Sequence, residues 1–262
     1  AMKVMPDTTI RIANAEAVSL ELDVDTRLGA VRLLPRLGAV REIPLTGNAF
    51  DFPKFTPPDT VKMEWLEASG SDEAAFVSRA EVVSRHYFAI SDLRGYGDGQ
   101  DDFGDEEKYP EARLWAARQA AEESFEKAAH RAFVRRLGET TDYGRDMFIN
   151  LAHCDVSRLV SAGYVLASDC QVERDPNFFG RPFPRPIEYV YGLDDMPSKV
   201  SSSVLTLAAY YLRPSNTADR ATGESSEAGY IHFTLAGIDG ATSLPEVNAT
   251  ADQFGRKGVM AW

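Results

Sequence analysis

Apolar and polar residues alternate through the first third of the chain, which indicates half-buried β-strands. Residues 18–24 read Val-Ser-Leu-Glu-Leu-Asp-Val and residues 61–65 read Val-Lys-Met-Glu-Trp, while residues 75–83 form a further β-rich run. Turn signals separate these runs, among them Leu37-Gly38 and Thr56-Pro57-Pro58-Asp59. Several short strands with frequent turns predict a small antiparallel β-sandwich over residues 1–86, with Trp65 as a core anchor.

The pattern changes after residue 86. Residues 91–107 are dominated by glycine and acidic residues, a composition that cannot bury much apolar surface. We therefore expect an acidic, glycine-rich linker over residues 87–108. A calcium loop is the alternative interpretation, but the acidic residues lack the spacing that an EF-hand requires.

A long helix is predicted next, over Ala112–Arg136. Pro110 suits the first helical turn, and apolar residues recur at steps of three and four, which makes one apolar stripe. The stripe contains Leu114, Ala117, Ala121, Phe125 and Ala128. Its small side chains would let another backbone approach closely.

The remaining chain mixes short β-like pieces with a second predicted helix. Met147-Phe148-Ile149 and Tyr164-Val165-Leu166 are strand candidates, whereas the prolines of Arg181–Pro186 predict an extended loop. The second helix is expected from Pro197 to Leu212, and the end of the chain to Trp262 is expected to be an extended tail. The prediction is an α+β protein, in which an immunoglobulin-like sandwich (1–86) precedes a mainly α-helical domain (109–262) with a β-hairpin or loop insertion.

Charge and hydropathy reduce the number of functions that suit the chain. The net charge of −12 argues against general binding of nucleic acid, which needs clustered Lys and Arg. The same charge is compatible with a protein that lines a DNA channel, because a channel wall should repel phosphate. The mean hydropathy of −0.28 and the absence of a long apolar run or signal-peptide pattern predict a protein made in the cytoplasm that does not bind membranes.

Catalytic and metal-binding patterns do not emerge from the sequence. The four histidines show no ligand spacing, and neighbouring residues such as His153 and Cys154 point to opposite faces of a strand. Cys154 and Cys170 could pair if geometry allowed, but separate reduced thiols are expected in a cytoplasmic product. We predict no enzyme activity, no catalytic residue, no cofactor and no metal.

The order of several pieces in the second part resembles the head-to-tail connector or adaptor proteins of tailed bacteriophages and prophages. The resemblance covers about residues 87–257. Its pieces are Tyr109-Pro110 with the alanine-rich helix, Val190-Tyr191-Gly192-Leu193, Pro197 with its helix, Asp219-Arg220-Ala221-Thr222, and Leu244-Pro245-Glu246-Val247. Residues 174–186, rich in Arg, Pro and Phe, depart from the pattern.

The resemblance implies a structural role in the virion neck. Such proteins form a ring, usually twelvefold, beneath the portal protein, and they offer a platform to a stopper or tail-completion protein. DNA passes through without specific binding. Applied to this chain, the stripe on the long helix would pack between subunits, and Val259, Met260 and Trp262 would dock on the portal; the isolated chain is expected to be a monomer or weak oligomer.

Two other readings stay open on the sequence. A β-sandwich with a helical partner domain could be a surface-binding or glycan-binding module. The second alternative is an enzyme whose type has no visible sequence motif. Such an enzyme would need a pocket with converging carboxylates or a metal.

Overall fold

The structure is a computed structural model that describes residues 2–69, 73–97, 102–176, 182–213, 223–226, 229–232 and 242–256. The chain divides into two compact units, and each unit is built from two separate stretches. Unit 1 comprises Ala1–His86 and Val134–Asp194, and unit 2 comprises Tyr87–Phe133 and Asp195–Trp262. The helix-bearing unit is therefore interrupted in sequence by the second half of the β unit.

Unit 1 is made of strands. In chain order these are β1 (Met2–Val4), β2 (Thr9–Ala13), β3 (Ser19–Leu22), β4 (Leu28–Pro35), β5 (Arg41–Pro44), β6 (Ala49–Asp51), β7 (Asp59–Glu67), β8 (Ala74–Val83), β9 (Arg136–Asp142), β10 (Phe148–Asn150), β11 (Val156–Leu159), β12 (Tyr164–Ser168), β13 (Gln171–Arg174) and β14 (Arg185–Tyr191). Unit 2 contains α1 (Ile90–Arg94), α2 (Glu111–Ala129), α3 (Ser198–Leu212), β15 (Gly223–Ser226), β16 (Gly229–His232) and α4 (Pro245–Phe254).

The first eight strands form two sheets that pack face to face as a sandwich. One sheet has the order β2-β8-β7-β4-β5 and the other the order β1-β3-β6. Their inner faces meet where Trp65 of β7 contacts Phe50 of β6 edge-on, with ring centroids 5.5 Å apart. The sandwich is mixed rather than wholly antiparallel, because β1 runs parallel to β3 and β2 runs parallel to β8.

The central strand β7 shows why the alternating pattern folds this way. Val61, Met63 and Trp65 are fully buried, while the residues between them are only partly covered. Trp65 brings one polar atom into this core, its indole N–H, which donates to the hydroxyl of Ser78 on β8 at 2.8 Å. That hydrogen bond removes the cost of burying the N–H without a partner.

The second half of unit 1 contains two three-stranded sheets, β11-β14-β9 and β10-β13-β12. Both contribute to one apolar core, which contains Leu151, Val156, Tyr164, Val172, Ile187 and Tyr189. Arg36, just after β4, connects this half to the sandwich. Its guanidinium binds both Glu188, at 2.6 Å, and Glu139, two carboxylates that lie directly opposite each other on β14 and β9.

The predicted mainly α-helical domain over residues 109–262 is wrong. Strands account for 36% and helices for 23% of the described structure, and six of the described strands lie between α2 and α3. Each of these six strands is only three to seven residues long. Short alternations of this kind carry little intrinsic β preference, because their stability comes from partners distant in the sequence.

The long helix is also shorter than predicted, since α2 ends at Ala129. His130 adopts a left-handed conformation with a φ of 49°, and the N–H of Arg131 then bonds back to the carbonyl of Glu126 at 3.2 Å. This arrangement closes the helix in the way that a glycine usually does. Arg136, expected to be the last helical residue, begins β9.

Proline does not keep residues 185 and 186 out of a central strand. Pro186 lies in β14 and pairs with Thr141 of β9. On its other side β14 pairs with β11 only from Tyr189 to Tyr191, so Pro186 lies beyond that ladder. No hydrogen-bond donor is needed there, which reconciles the proline with its position.

The end of the chain is not only a tail, because α4 forms within it. Val247 and Ala251 on this helix are buried, and α4 contacts both α2 and α3. The helix ends against α2: the N–H of Arg256 donates to the carbonyl of Ala129 at 2.9 Å. Glycine at 255 permits this approach, since a Cβ there would lie 2.6 Å from the same carbonyl oxygen.

The buried indole of Trp65 supplies a test of the sandwich core. Ser78→Ala should lower the free energy of unfolding by about 1–3 kcal/mol, because the Trp65 N–H loses its acceptor inside the core. Urea unfolding followed by tryptophan fluorescence measures the change. Ser69→Ala, in the exposed turn that follows β7, is the matched control and should change stability by less than about 0.5 kcal/mol. Equal stability of the two variants would contradict the proposed role of the hydrogen bond.

Candidate interaction surface

The β10-β13-β12 sheet has one face in the core and one face toward solvent. Ile149, Val172 and Leu166 occupy one cross-strand row and belong to, or pack against, the apolar core. The neighbouring row contains Phe148, Glu173 and Val165, which lie side by side on the opposite face. We call this second row, Phe148–Glu173–Val165, the sheet patch.

The sheet patch is unusual because large apolar side chains on it face solvent. Phe148 is 50% exposed and Val165 is 59% exposed. They flank the carboxylate of Glu173, and among the described residues none provides a cation within ion-pairing distance of that carboxylate. Contiguous exposed apolar side chains are typical of surfaces that bind another macromolecule.

A buried carboxylate holds the sheet from its inner side. Asp142, with 1% of its side chain exposed, receives two hydrogen bonds from Arg174, at 2.8 and 3.2 Å, and one from the hydroxyl of Tyr164 at 2.8 Å. The N–H of Gly144 donates to it at 2.7 Å. Arg185 completes the group by donating to the Tyr164 hydroxyl at 2.5 Å. We call Asp142, Tyr164, Arg174 and Arg185 the Asp142 cluster.

The cluster moves the pKa values of its members in opposite directions. Burial alone raises the pKa of Asp142, but the hydrogen bonds from Arg174, Gly144 and Tyr164 outweigh it, so the pKa lies below its usual value of 3.8. Burial and the neighbouring Asp142 carboxylate raise the pKa of Tyr164 to about 12. At neutral pH the cluster therefore contains an ionised carboxylate and a neutral phenol.

The described part of the Arg/Pro/Phe-rich stretch folds onto this cluster. The ring of Phe183 contacts two guanidiniums, with Arg174 at 4.6 Å and Arg185 at 4.7 Å from its centroid. Both arginines are thus engaged by a carboxylate or phenol and also by an aromatic ring. Residues 177–181 of the same stretch lie outside the described residues.

A disulfide braces the other end of the sheet. Cys154 and Cys170 are bonded, so the expectation of separate reduced thiols is wrong. Cys170 lies in the tight β12–β13 turn, and its carbonyl accepts a hydrogen bond from the N–H of Leu151, which directly follows β10. The short turn brings Cys170 next to the β10–β11 connection, a proximity that sequence spacing does not reveal.

His153 packs against two tyrosines of β14. Its ring stacks on Tyr191 with centroids 3.9 Å apart, and its Nδ1 lies 3.0 Å from the hydroxyl of Tyr189. Burial lowers its pKa below the usual value of 6.5. Since Cys154 is in a disulfide, no thiol–imidazole pair forms at this position.

The stripe predicted to pack between subunits lies inside unit 2. Leu114, Ala117, Ala121 and Phe125 are buried, and Ala128 is half-buried. Helix α2 contacts α3 and α4, so these residues serve the core of their own unit. The residues predicted to dock on the portal, Val259, Met260 and Trp262, lie outside the described residues.

The sheet patch was not predicted from the sequence, although a signal for it was present. Met147-Phe148-Ile149 and Tyr164-Val165-Leu166 are runs of three apolar residues on predicted strands. Side chains alternate between faces, so a strand with one buried face must expose at least one member of each run. Phe148 and Val165 are such members, and Met147, just before β10, is exposed as well.

The described ranges lack two further features, a metal-binding cluster and a membrane-spanning helix. Within the described ranges no group of three or more His, Cys, Asp or Glu side chains is placed to hold a metal ion. None of the helices in those ranges is long and apolar enough to cross a membrane.

Comparison with known proteins gives similarities to solved structures only. No family model matches the sequence. No curated protein matches it either. A chain from the virion of a native gene transfer agent (GTA) particle is similar with a TM-score of 0.40 and 18% identity, covering 67% of this chain and 93% of that chain. A chain from the neck of an empty GTA particle, computed with C6 symmetry, has a TM-score of 0.41 and 17% identity over the same shares of the two chains.

The disulfide should contribute measurably to stability. Because it closes a loop between residues 16 apart, the Cys154→Ser/Cys170→Ser double variant should lose about 3 kcal/mol of unfolding free energy. Chemical denaturation at neutral pH measures the loss. Dithiothreitol should destabilise the wild type by a similar amount and leave the double variant unchanged. A wild type insensitive to the reductant would show that the bond does not constrain the chain.

The Asp142 cluster predicts a specific pH dependence. Asp142→Asn should cost about 3 kcal/mol near pH 7, because two arginines lose their carboxylate partner. The pKa of Asp142 is lower in the folded protein than in the unfolded chain. The contribution of Asp142 to stability is therefore fully present above the pKa of the unfolded state, and it is lost as the pH falls through the pKa of the folded state. The stability difference between wild type and variant should therefore shrink below about pH 4.

Denaturation at a series of pH values tests this dependence. Asp146→Asn is the matched control, because Asp146 is an exposed aspartate close in sequence, and it should show little effect at any pH. A difference between wild type and Asp142→Asn that stayed constant down to pH 2 would exclude ionisation of Asp142 as its cause.

Proposed function

We propose that this chain is a structural protein of a phage-like virion neck, where it acts as a head-to-tail adaptor. In this proposal it forms a ring beneath the portal protein, usually twelvefold in the family that the sequence resembles, and extends the channel through which DNA passes. It binds no cofactor and performs no reaction. It is made in the bacterial host cytoplasm and then incorporated into the particle.

The observation that carries the proposal is the sheet patch on a braced support. Phe148 and Val165 are at least half exposed, yet the sheet beneath them is fixed by the disulfide at one end and the Asp142 cluster at the other. A fixed surface loses little conformational freedom on binding, so apolar contacts there favour stable assembly. The identity of the assembly comes from the sequence resemblance to connector proteins.

The charge of the chain is compatible with a channel component. At a net charge of −12 the protein repels DNA phosphates on average, so DNA could slide past it without adhering. The arginines of the Asp142 cluster do not change this expectation, because Asp142, Tyr164 and Phe183 engage them.

The predicted docking segment at the C-terminus belongs to the same proposal. Residues 258–262 read Gly-Val-Met-Ala-Trp, and apolar, aromatic and Met side chains suit a pocket on a partner protein. We propose that Val259, Met260 and Trp262 contact the portal, while another face of the ring receives a stopper or tail-completion protein.

Electron microscopy with the portal protein from the same genome tests this function. Full-length chain should add a ring that is coaxial with the portal, and the variant lacking residues 258–262 should bind at least tenfold more weakly, as expected on losing about 1.4 kcal/mol or more. The Ser78→Ala variant controls for reduced stability and should still form the ring. Portal rings that gain no density at saturating full-length chain would overturn the adaptor proposal.

A further inference from the structure

The two edge strands of the β10-β13-β12 sheet lack the residues that protect the other sheet edges of unit 1. The described part of this unit contains four sheets and therefore eight edge strands. Charged residues and prolines on an edge strand oppose pairing with another chain. Six of the eight edge strands carry a charged residue: Lys3 in β1, Arg11 in β2, Arg41 in β5, Asp51 in β6, Arg136 in β9 and Arg158 in β11. The other two, β10 and β12, contain neither a charged residue nor a proline.

The free edge of β10 presents backbone groups from alternate residues. The carbonyl of Met147 and the N–H of Leu151 bond to β13 and to the residue just before it. Ile149, midway between them, faces β13 in the same way, because every second residue of an antiparallel strand bonds to a given neighbour. Phe148 and Asn150 therefore direct their N–H and C=O groups away from β13. Among the described residues no other element supplies a backbone partner for these groups.

The free edge of β12 presents backbone groups in the same spacing. The carbonyl of Gly163 accepts a hydrogen bond from the N–H of Asp175, just after β13, at 3.1 Å. Val165, two residues on, faces β13 in the same way. Tyr164 and Leu166 therefore direct their N–H and C=O groups outward, and the described part of the chain offers no backbone partner for them.

The two edges match each other in direction and in the orientation of their side chains. β10 and β12 each run antiparallel to β13, so a second copy in the same orientation would offer its β10 parallel to β12 of the first. In a parallel pair, a residue whose backbone groups face the neighbour lies opposite a residue whose groups face away. Leu166 would then lie opposite Ile149, and both side chains pack against the apolar cores of their own copies. The core faces of the two sheets therefore continue into each other.

We propose that β12 of one copy of this chain pairs in parallel with β10 of a second copy. The register that puts Leu166 opposite Ile149 also puts Val165 opposite Phe148, so apolar side chains meet on both faces of the joined sheet. A shift by two residues would put Val165 opposite Asn150 instead. Since the pattern of apolar side chains sets the register of a strand, the first register is the favoured one.

The proposed pairing accounts for ring formation. The two edges use different residues, so the contact is heterologous, and it continues from copy to copy until its rotation closes a full turn. β10 has three residues and β12 has five, so few hydrogen bonds form and the contact is weak between dilute copies. This inference rests on the proposed function, because it supplies the contact between subunits of the proposed ring.

Cysteine cross-linking tests the register. Neighbouring strands lie about 4.8 Å apart, a separation that a disulfide can span. Mixed copies of the Val165→Cys and Phe148→Cys variants should therefore cross-link to each other under mild oxidation at about 0.5 mM, a concentration suited to weak contacts. Peptide mass spectrometry identifies the linked residues. Arg27→Cys, at an exposed position of the sandwich, replaces Phe148→Cys in the control mixture and should give only background cross-linking.

A charge on the edge strand tests the pairing without a cross-link. Val165→Lys should weaken self-association by at least about tenfold in sedimentation velocity, because a lysine on an edge strand opposes pairing. General repulsion does not explain such a loss, since the added lysine makes the net charge of −12 less negative. Val165→Thr is the matched control: it keeps a β-branched side chain without a charge and should associate nearly like the wild type. Thermal unfolding of each variant checks that the fold is retained.

Each outcome supports or overturns the pairing. Cross-linking between the two cysteine variants, together with weakening by Val165→Lys, supports it. A wild type that stays monomeric up to about 1 mM, cross-linking no faster than in the control mixture, or Val165→Cys that cross-links mainly to itself would each overturn it. The last result would indicate two-fold pairing of β12 with β12.

The portal assay separates this inference from the proposed function. A ring on the portal without cross-linking between Val165→Cys and Phe148→Cys copies would overturn the strand pairing and leave the adaptor proposal standing. Cross-linked copies that add no density to the portal would support the pairing and overturn the adaptor proposal.

Discussion

The second half of unit 1 is organised around the buried carboxylate of Asp142. An ionised carboxylate with 1% exposure is tolerated only if hydrogen bonds and opposite charges replace the water that it loses. Here those partners come from strand ends. Asp142 is the last residue of β9, Tyr164 the first of β12, Arg174 the last of β13 and Arg185 the first of β14. Satisfying one charge therefore fixes where four strands begin or end, and it links the two three-stranded sheets.

That constraint explains how a small sheet can carry an exposed apolar face. The inner row of the β10-β13-β12 sheet is committed to the core, and the Asp142 cluster with the Cys154–Cys170 disulfide fixes both ends. Because the core contacts, the Asp142 cluster and the disulfide already fix the sheet, its outer row does not need polar side chains for stability. Phe148 and Val165 can then serve association, at the risk of nonspecific aggregation that Glu173 between them opposes.

Sequence patterns succeeded where one strand or helix carried its own periodic signal. The alternation around Trp65 and the apolar side of α3 correspond to observed elements. Sequence patterns failed where the local structure depended on residues distant in the sequence. His130 ends α2 without a glycine, and Pro186 enters a central strand because the neighbouring ladder stops before it. The interaction surface was missed for the same reason, since the outward direction of Val165 depends on which face of its strand the core occupies.

The net negative charge of the chain opposes association between its copies. At −12 per copy, two molecules repel each other over distances up to the Debye length of about 8 Å at physiological salt. Phe148 and Val165 on the sheet patch carry no charge, so an apolar contact through them does not add to the longer-range repulsion that salt screens. Salt should therefore weaken the repulsion between copies more than an apolar attraction at the sheet patch. In the proposed virion neck, the charge repulsion would keep dilute copies apart, and the apolar contact would hold copies that a larger assembly has brought together.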